Sequence, residues 1–319
     1  MHEFELINNF FSKLSKNNVS ALNLNDDVFF DKKKKIVISV DTYNINTHFI
    51  DFKLPDLVIK KILRSSISDL ICKGVKPKFY FISGSGNKKN FTKKNLTRIS
   101  KSLKNEQKRY GIVLCGGDTT FSNKLSFTFT SLGYSNNIVY RNRSKLNDDI
   151  YVTGNLGDSF IGLQILKDKI KVDNKMSKFF ITKYYKPDLQ IGFTNSLLKL
   201  ANTSIDISDG LIDDLEKMIN RQNFSFHIFE EKIPISKNLK QLIKIKKLKK
   251  IDITSKGDDY QILFTASPIK SRIIDKISKI TGIKITKIGK IISGKNKSKI
   301  INLKNKQIEA KNKGYIHQF

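Results

Sequence analysis

Apolar residues follow two rhythms that take turns along the chain. Ile7, Phe10, Phe11 and Leu14 recur at helical spacing and predict an opening amphipathic helix. Ile36 to Val40 is a short β-branched run that reads as a strand ending at Asp41-Thr42. Pro55-Asp56 then opens a helix with apolar positions at Ile59, Ile62, Leu63, Ile67, Leu70 and Ile71. Asp69 sits near its end and Gly74 stops it. Phe79 to Ile82 predicts a strand, and Leu96, Ile99 and Leu103 a helix. Ile112 to Cys115 predicts a strand running into Gly116-Gly117-Asp118, and the alternation of Leu125, Phe127 and Phe129 another.

A polar, turn-rich stretch from Asn142 to Asp149 interrupts the pattern, and the domain boundary is placed there, giving units 1–146 and 147–319. The second half restarts with a strand at Ile150 to Thr153, a Gly-rich turn, and a helix through Ile161, Leu163 and Leu166. A strand from Ser204 to Ile207 leads to a helix through Leu211, Leu215 and Met218. Asp259 to Thr265 reads as a strand, Pro268 opens a helix, and Ile283 to Ile292 predicts a late strand. Strands and helices alternate in both halves, so the class is α+β or α/β. A length of 319 residues fits two domains.

Composition changes the picture in two ways. Fifty-nine Lys and Arg against 29 Asp and Glu give a formal charge of +30, which raises nucleic acid or an anionic membrane as partners. The basic residues are dispersed, however, and no recognition helix, zinc-finger spacing or aromatic-basic RNA pattern organises them. Neither nucleic acid nor membrane is therefore expected as a partner. Cys72 and Cys115 are too few for a disulfide framework and suit a reducing, cytoplasmic location. The first residues include Glu3 and Glu5 and lack the apolar core of a secretory signal. No apolar run approaches a membrane span.

Against this lysine background, aspartate collects in short motifs. They are Asp26-Asp27, Ser39-Val40-Asp41-Thr42, Ser68-Asp69, Gly116-Gly117-Asp118-Thr119-Thr120, Asp206-Ile207-Ser208-Asp209-Gly210 and Gly257-Asp258-Asp259-Tyr260. Oxygen-only clusters without His or Cys favour Mg²⁺, and protein-bound Mg²⁺ points to phosphate chemistry. Asp41, Asp69 and Asp118 taken singly also read as ordinary turn or cap residues. The paired glycines beside Asp118 let backbone N–H groups approach a phosphate. Asp206 and Asp209 are expected one strand pitch apart on a common face, with Ser208 between them at a helix entrance. A carboxylate within an apolar strand is costly unless compensated. Gly289, Gly294 and Lys295 match P-loop spacing, but Asn296 replaces the required Ser or Thr, so the segment is rejected as a nucleotide site.

Taken together in order, these motifs resemble the bacterial thiamine-monophosphate kinase family. That family belongs to the superfamily of aminoimidazole ribonucleotide synthetase, selenophosphate synthetase and the hydrogenase maturation dehydratase. The likeness also includes His48-Phe49, Arg143-Ser144, Asp149-Ile150-Tyr151-Val152-Thr153-Gly154 and Gly157-Asp158, and it runs from Glu3-Phe4 to Gly314-Tyr315. The resemblance implies a two-domain aminoimidazole ribonucleotide synthetase-like fold, paired through its N-terminal domains in a homodimer, with ATP between N-terminal sheet elements. The implied reaction takes ATP and thiamine monophosphate to ADP and thiamine diphosphate. Several Mg²⁺ ions would be held by Asp27, Asp41, Asp69, Asp118, Asp206 and Asp209, with oxygens from Ser39 and the Val40 carbonyl. Gly117, Asp118, Arg143 and Ser208 would contact ATP, and His48 and Asp258 would face the thiamine phosphate. No residue is expected in a covalent or acid–base role.

Departures from the family pattern bear more on substrate affinity than on metal binding. Asn25 stands for a Gly, Val40 for a Thr and Ser66 for an Asn, while Lys256-Gly257-Asp258 replaces Gly-Gly-Glu. Gln190 replaces an Arg, and Asn312 stands about where an aromatic would cover the thiamine ring. The alternatives are a sister enzyme of the aminoimidazole ribonucleotide synthetase type and a nucleotide-binding homologue that has lost turnover. Selenophosphate synthesis would call for a reactive Cys before Cys72, and the hydrogenase maturation chemistry for a C-terminal Cys where this sequence has Gln318-Phe319.

Overall fold

The computed structural model describes residues 3–315, and two sheets organise it. The chain opens with one helical turn, α1 (Glu3–Leu6), that continues as a π turn over Ile7–Phe11 and a 3₁₀ turn over Ser12–Ser15. The expected amphipathic helix is thus broken into three short pieces. Phe10, Phe11 and Leu14 are exposed, with no element among the described residues covering their face.

The first sheet comprises β1 (Phe29–Asp31), β2 (Ile36–Asn44), β3 (Pro77–Gly86), β4 (Val113–Phe121) and β5 (Ser126–Tyr134). The order is β1-β2-β5-β3-β4, antiparallel except where β4 runs parallel to β3. Lys32 to Lys35 form the exposed turn between the first two strands. Side chains alternate along β2 and β5, so Val37, Ser39, Tyr43, Phe127 and Phe129 face inward. Against that face lies α2 (Pro55–Cys72), backed by α3 (Lys93–Tyr110).

Helix α2 also touches the second half of the chain, through β7, β9 and α5. Most of the helix is buried, its polar Lys61, Arg64, Ser65, Ser66 and Ser68 included, so these side chains need internal partners. Its end is set by Gly74 (φ 79°), a left-handed position that glycine tolerates. The fork of Arg64 anchors it: Nε donates to Glu106 Oε2 at 2.7 Å, Nη2 to Oε1 at 3.2 Å and Nη1 to the Pro187 carbonyl at 2.9 Å.

The second sheet has seven strands in the order β12-β11-β8-β10-β6-β9-β7. They are β6 (Asp149–Thr153), β7 (Thr203–Asp206), β8 (Phe224–Phe229), β9 (Ile262–Ala266), β10 (Ile285–Ser293), β11 (Lys299–Ile301) and β12 (Gln307–Ile308). Interleaved with them are α4 (Asp158–Leu166), α5 (Asn174–Tyr185), α6 (Thr194–Leu200), α7 (Leu211–Met218), α8 (Lys237–Lys246), α9 (Lys250–Thr254) and α10 (Ser271–Thr281). Strand β9 starts later than expected, since Asp258 and Tyr260 both take positive φ and hold that stretch in a turn. The rejected P-loop spacing falls largely within β10, where Gly289 pairs with Ile228 rather than opening a phosphate loop. One apolar core runs from β2 and α2 through to β9 and α10 and joins the halves.

Candidate active site

Three elements bring carboxylates together where the halves meet. Strand β2 presents Ser39 and Asp41 toward α2, α2 presents Ser68 and Asp69, and β7 ends on Asp206. The Ser39 hydroxyl donates to Asp69 Oδ2, and the Ser68 hydroxyl donates to Asp206 Oδ2. One carboxylate oxygen each from Asp27, Asp69 and Asp206 lies within 4.8 Å of the others. Octahedral Mg²⁺ places its ligand oxygens about 3 to 4 Å apart, so the donor set and spacing suit that ion.

The electrostatics of the metal-free cluster are unfavourable. Burial pushes Asp41 up to about 6, against hydrogen bonds from Asp69, Tyr43, Ser39 and Ser66. Burial lifts Asp69 well above the usual carboxylate range, and the charges of Asp41 and Asp206 lift it further. Asp206 is pushed up to about 6 by burial, opposed by the Ser68 hydroxyl and raised again by Asp41. Groups so arranged favour a bound cation or a proton.

The flanking aspartates already have side-chain cations. Lys73 Nζ lies 2.7 Å from Asp26 Oδ1 and 2.6 Å from Asp27 Oδ2, and the Arg141 guanidinium grips Asp27. Asp209 lies past the end of the strand that carries Asp206, yet its charge still raises that carboxyl. The strand ends at Asp206, and Gly210 (φ 138°) turns the chain into α7. Asp209 joins Asp213 and Asp214 instead, with Lys217 Nζ at 2.5, 2.6 and 3.6 Å from the three carboxylates. Burial pulls the Lys217 ammonium down, but those carboxylates outweigh it and raise it above its ordinary value.

The Gly116-Gly117-Asp118 motif lies in an exposed edge strand, β4, rather than in a loop. A Cβ on Gly117 would sit 1.7 Å from the Ile82 carbonyl oxygen, so only glycine fits beside β3 there. Three strand spacings separate β4 from β2, which puts Asp118 roughly 14 Å across the sheet from Asp41. Asp118 is exposed and accepts a hydrogen bond from the Thr119 N–H. Within one chain it is not part of the cluster. Arg143 is exposed, its guanidinium 5.7 Å from the Tyr140 ring, whereas Arg141 reaches the carboxylates. The Val40 side chain points outward, and β1 covers β2 only as far as Ile38, leaving the edge of β2 open from Ser39 onward.

His48 and Asp258 meet through a shared network. His48 Nδ1 accepts from the Asn44 N–H at 2.9 Å, and its carbonyl accepts from the Tyr184 hydroxyl at 3.4 Å. The buried Lys61 ammonium lies 4.5 Å from the Tyr184 ring and ion-pairs with Asp258. The Tyr260 hydroxyl donates to Asp258 at 3.1 Å. Ser208 is held close: its carbonyl accepts from the Asp258 N–H at 2.8 Å, and a Cβ on Gly257 would fall 1.7 Å from that oxygen. Gln190 donates to Gln261 at 3.1 Å, and both line a polar cavity of about 90 Å³ with Asp158, Asp188 and Asp258. The Asn312 amide oxygen faces Lys256 Nζ at 2.8 Å.

Comparison with known proteins places this geometry. The family "AIR synthase related protein, N-terminal domain" matches residues 24–135. The thiamine-monophosphate kinase of Buchnera aphidicola subsp. Schizaphis graminum is 34% identical over 99% of this chain and 98% of its own length. The chain belongs to the thiamine-monophosphate kinase family. The Haemophilus influenzae member is 32% identical over 91% of this chain and 89% of its own. Among solved structures, AaThiL complexed with AMPPCP and TMP superposes with a TM-score of 0.84 at 26% identity, covering 99% of this chain and 97% of that one. The aminoimidazole ribonucleotide synthetase-like fold expected from the sequence is therefore the observed one.

Four cations within this family member's site escaped the sequence reading: Lys61, Lys73, Arg141 and Lys217. One signal was available for Lys61. It lies eight residues before Asp69 on a helix too buried to tolerate a charge without a partner.

Proposed function

We propose that the chain phosphorylates thiamine monophosphate with ATP, giving thiamine diphosphate and ADP. The observation that carries this is the convergence of Asp41, Asp69 and Asp206 from strand β2, which runs on past Asp41 to Asn44, helix α2 and the second sheet onto one buried site. Family membership supplies the substrates. Bound Mg²⁺ would neutralise two phosphoryl groups that otherwise repel and would align them for in-line transfer. Asp41, Asp69 and Asp206 would hold it, with Asp27 at the edge and the Val40 carbonyl on the open rim of β2. Ser39 and Ser68 fix the carboxylate orientations by donating to them.

The acceptor phosphate is ionised at neutral pH, so the site needs no general base, and none is assigned. Gly117, Asp118, Arg143 and Ser208 are assigned to ATP, and His48 and Asp258 to the thiamine phosphate. Asp209 enters as an outer charge balanced by Lys217. The division at 146/147 separates the ATP- and dimer-forming unit from the one that completes the site. A cytoplasmic location belongs to the same reading, supported by the free thiols of Cys72 and Cys115. Incubating the protein with thiamine monophosphate and Mg²⁺-ATP should yield thiamine diphosphate. Absence of product while ATP binding is measurable would replace this reading by that of a nucleotide-binding homologue without turnover.

A homodimer is part of the proposal. The face of the first sheet opposite α2 is covered by no helix among the described residues and exposes Val40 (62%) and Phe81 (39%). Val40, Thr130, Phe81 and Gly116 are paired in one row across it. An apolar sheet face of this kind matches a second copy of itself about a two-fold axis. Light scattering should give twice the chain mass for the wild type and the monomer mass for Phe81→Asp. A wild-type monomer at micromolar concentration would refute this.

A further inference from the structure

The Asp26-Asp27 pair carries its own counter-cations. The side chain of Lys73 is wholly enclosed, and its ammonium satisfies three acceptors: Asp26 Oδ1 at 2.7 Å, Asp27 Oδ2 at 2.6 Å and the Ser204 carbonyl at 2.7 Å. Arg141 holds Asp27 from the other side through Nε and Nη2, and its backbone N–H donates to Asp26 Oδ2 at 2.9 Å. The central carboxylates differ. Among the described residues no Lys or Arg forms a salt bridge with Asp41, Asp69 or Asp206. Yet an oxygen of Asp27 stands within 4.8 Å of Asp69 and Asp206, at the rim of the same cluster.

We infer that the Lys73 ammonium is a resident cation that takes the place of a divalent ion on Asp27, so that within this chain the metal is held by Asp41, Asp69 and Asp206 and not by Asp27. The inference rests on the Mg²⁺ reading above and refines it. A carboxylate already contacted by two fixed cations offers an incoming ion little attraction, and the ammonium repels it. The charges of Lys73 and Arg141 reach Asp69 and Asp206 only from a distance, without a direct ion pair, so the central carboxylates keep most of their attraction. The geometry is built in. Lys73 is the last residue before the left-handed Gly74 that ends α2, which fixes the ammonium between β7 and the Asp26-Asp27 segment.

Two measurements on the full-length protein test it: the number of Mn²⁺ ions bound with AMPPCP present, and the melting temperature in EDTA and in Mg²⁺. Lys73→Met exposes the unpaired carboxylates to one another. It should melt about 10 °C lower than wild type in EDTA, recover most of that loss in Mg²⁺, and bind one more Mn²⁺ per chain. Asp27→Asn should leave the Mn²⁺ count at the wild-type value, whereas Asp206→Asn should lower it. An equal loss of stability with and without Mg²⁺ and an unchanged count in Lys73→Met would overturn the inference. So would a count that falls in Asp27→Asn, a variant that decides the matter even if Lys73→Met does not fold. Failure of the kinase reading would show separately, as absent turnover of the wild-type protein.

Discussion

Asp69→Asn should lower kcat by about a thousandfold while raising the stability of the metal-free protein. The two effects share one cause. Asp69 stands between Asp41 and Asp206, and burial together with those two charges lifts its carboxyl far above the ordinary range. Asparagine keeps the shape. Its oxygen still accepts from the Ser39 hydroxyl, and its amide can donate toward Asp41. One negative charge leaves a site where like charges face each other without a salt bridge, which should add several degrees to the melting temperature in EDTA. The same substitution removes an anionic ligand from the cation cluster on which phosphoryl transfer depends, and losses of this size follow removal of one electrostatic stabiliser. A variant that lost activity and stability together in EDTA would argue that Asp69 is structural.

The pH dependence carries the same sign. Burial pushes Asp41 and Asp206 up to about 6 in the folded protein, from an ordinary carboxyl value of 3.8. The folded metal-free protein therefore binds more protons than the unfolded chain between those values. Its stability should rise as pH falls from 7 through 6 toward 4, with the cost of the charged cluster fully present above 6. Saturating Mg²⁺ should flatten the dependence. Thermal melts across that range, with EDTA and with Mg²⁺, read it directly.

Much of this site was legible because its carboxylates sit on elements that announce themselves, although β2 runs on past Asp41 to Asn44. The apolar run from Ile36 to Val40 locates β2 and hence Asp41, and the helix around Ile59 to Ile71 locates Asp69. The run ending at Ile207 locates Asp206. Lys73 and Lys217 were not legible, since in a chain with 59 Lys and Arg neither lysine stands out. Only the fold shows that these two ammonium groups point inward. The pairing of Asp209 with Lys217 depends on the turn at Gly210 into α7, which a strand-period reading does not contain. The opening segment failed for another reason. Helical spacing at Phe10, Phe11 and Leu14 states that a face is apolar, but not that the same chain covers it.

Mixing Asp118→Asn subunits with Asp206→Asn subunits should restore activity that neither variant has alone. Asp118 lies roughly 14 Å across the sheet from Asp41, too far for the two to share an ion with ligand distances near 2 Å. For Asp118 to serve the cluster, as the family resemblance implies, it must come from a second copy. The exposed sheet face and the open edge strand β4 leave it on the surface through which that copy would pair. In a heterodimer built this way, one site combines an intact Asp206 cluster with the intact Asp118 of the other subunit, and the second site carries both lesions. Random pairing makes half of the dimers heterodimers, each with one working site of two, so about a quarter of wild-type activity should return after co-refolding. If each chain used its own Asp118, every site in the mixture would carry one lesion and no activity would appear. Pairing of Phe81→Asp variants of the same two chains provides the control, because blocking the interface should abolish the recovered activity without touching either carboxylate.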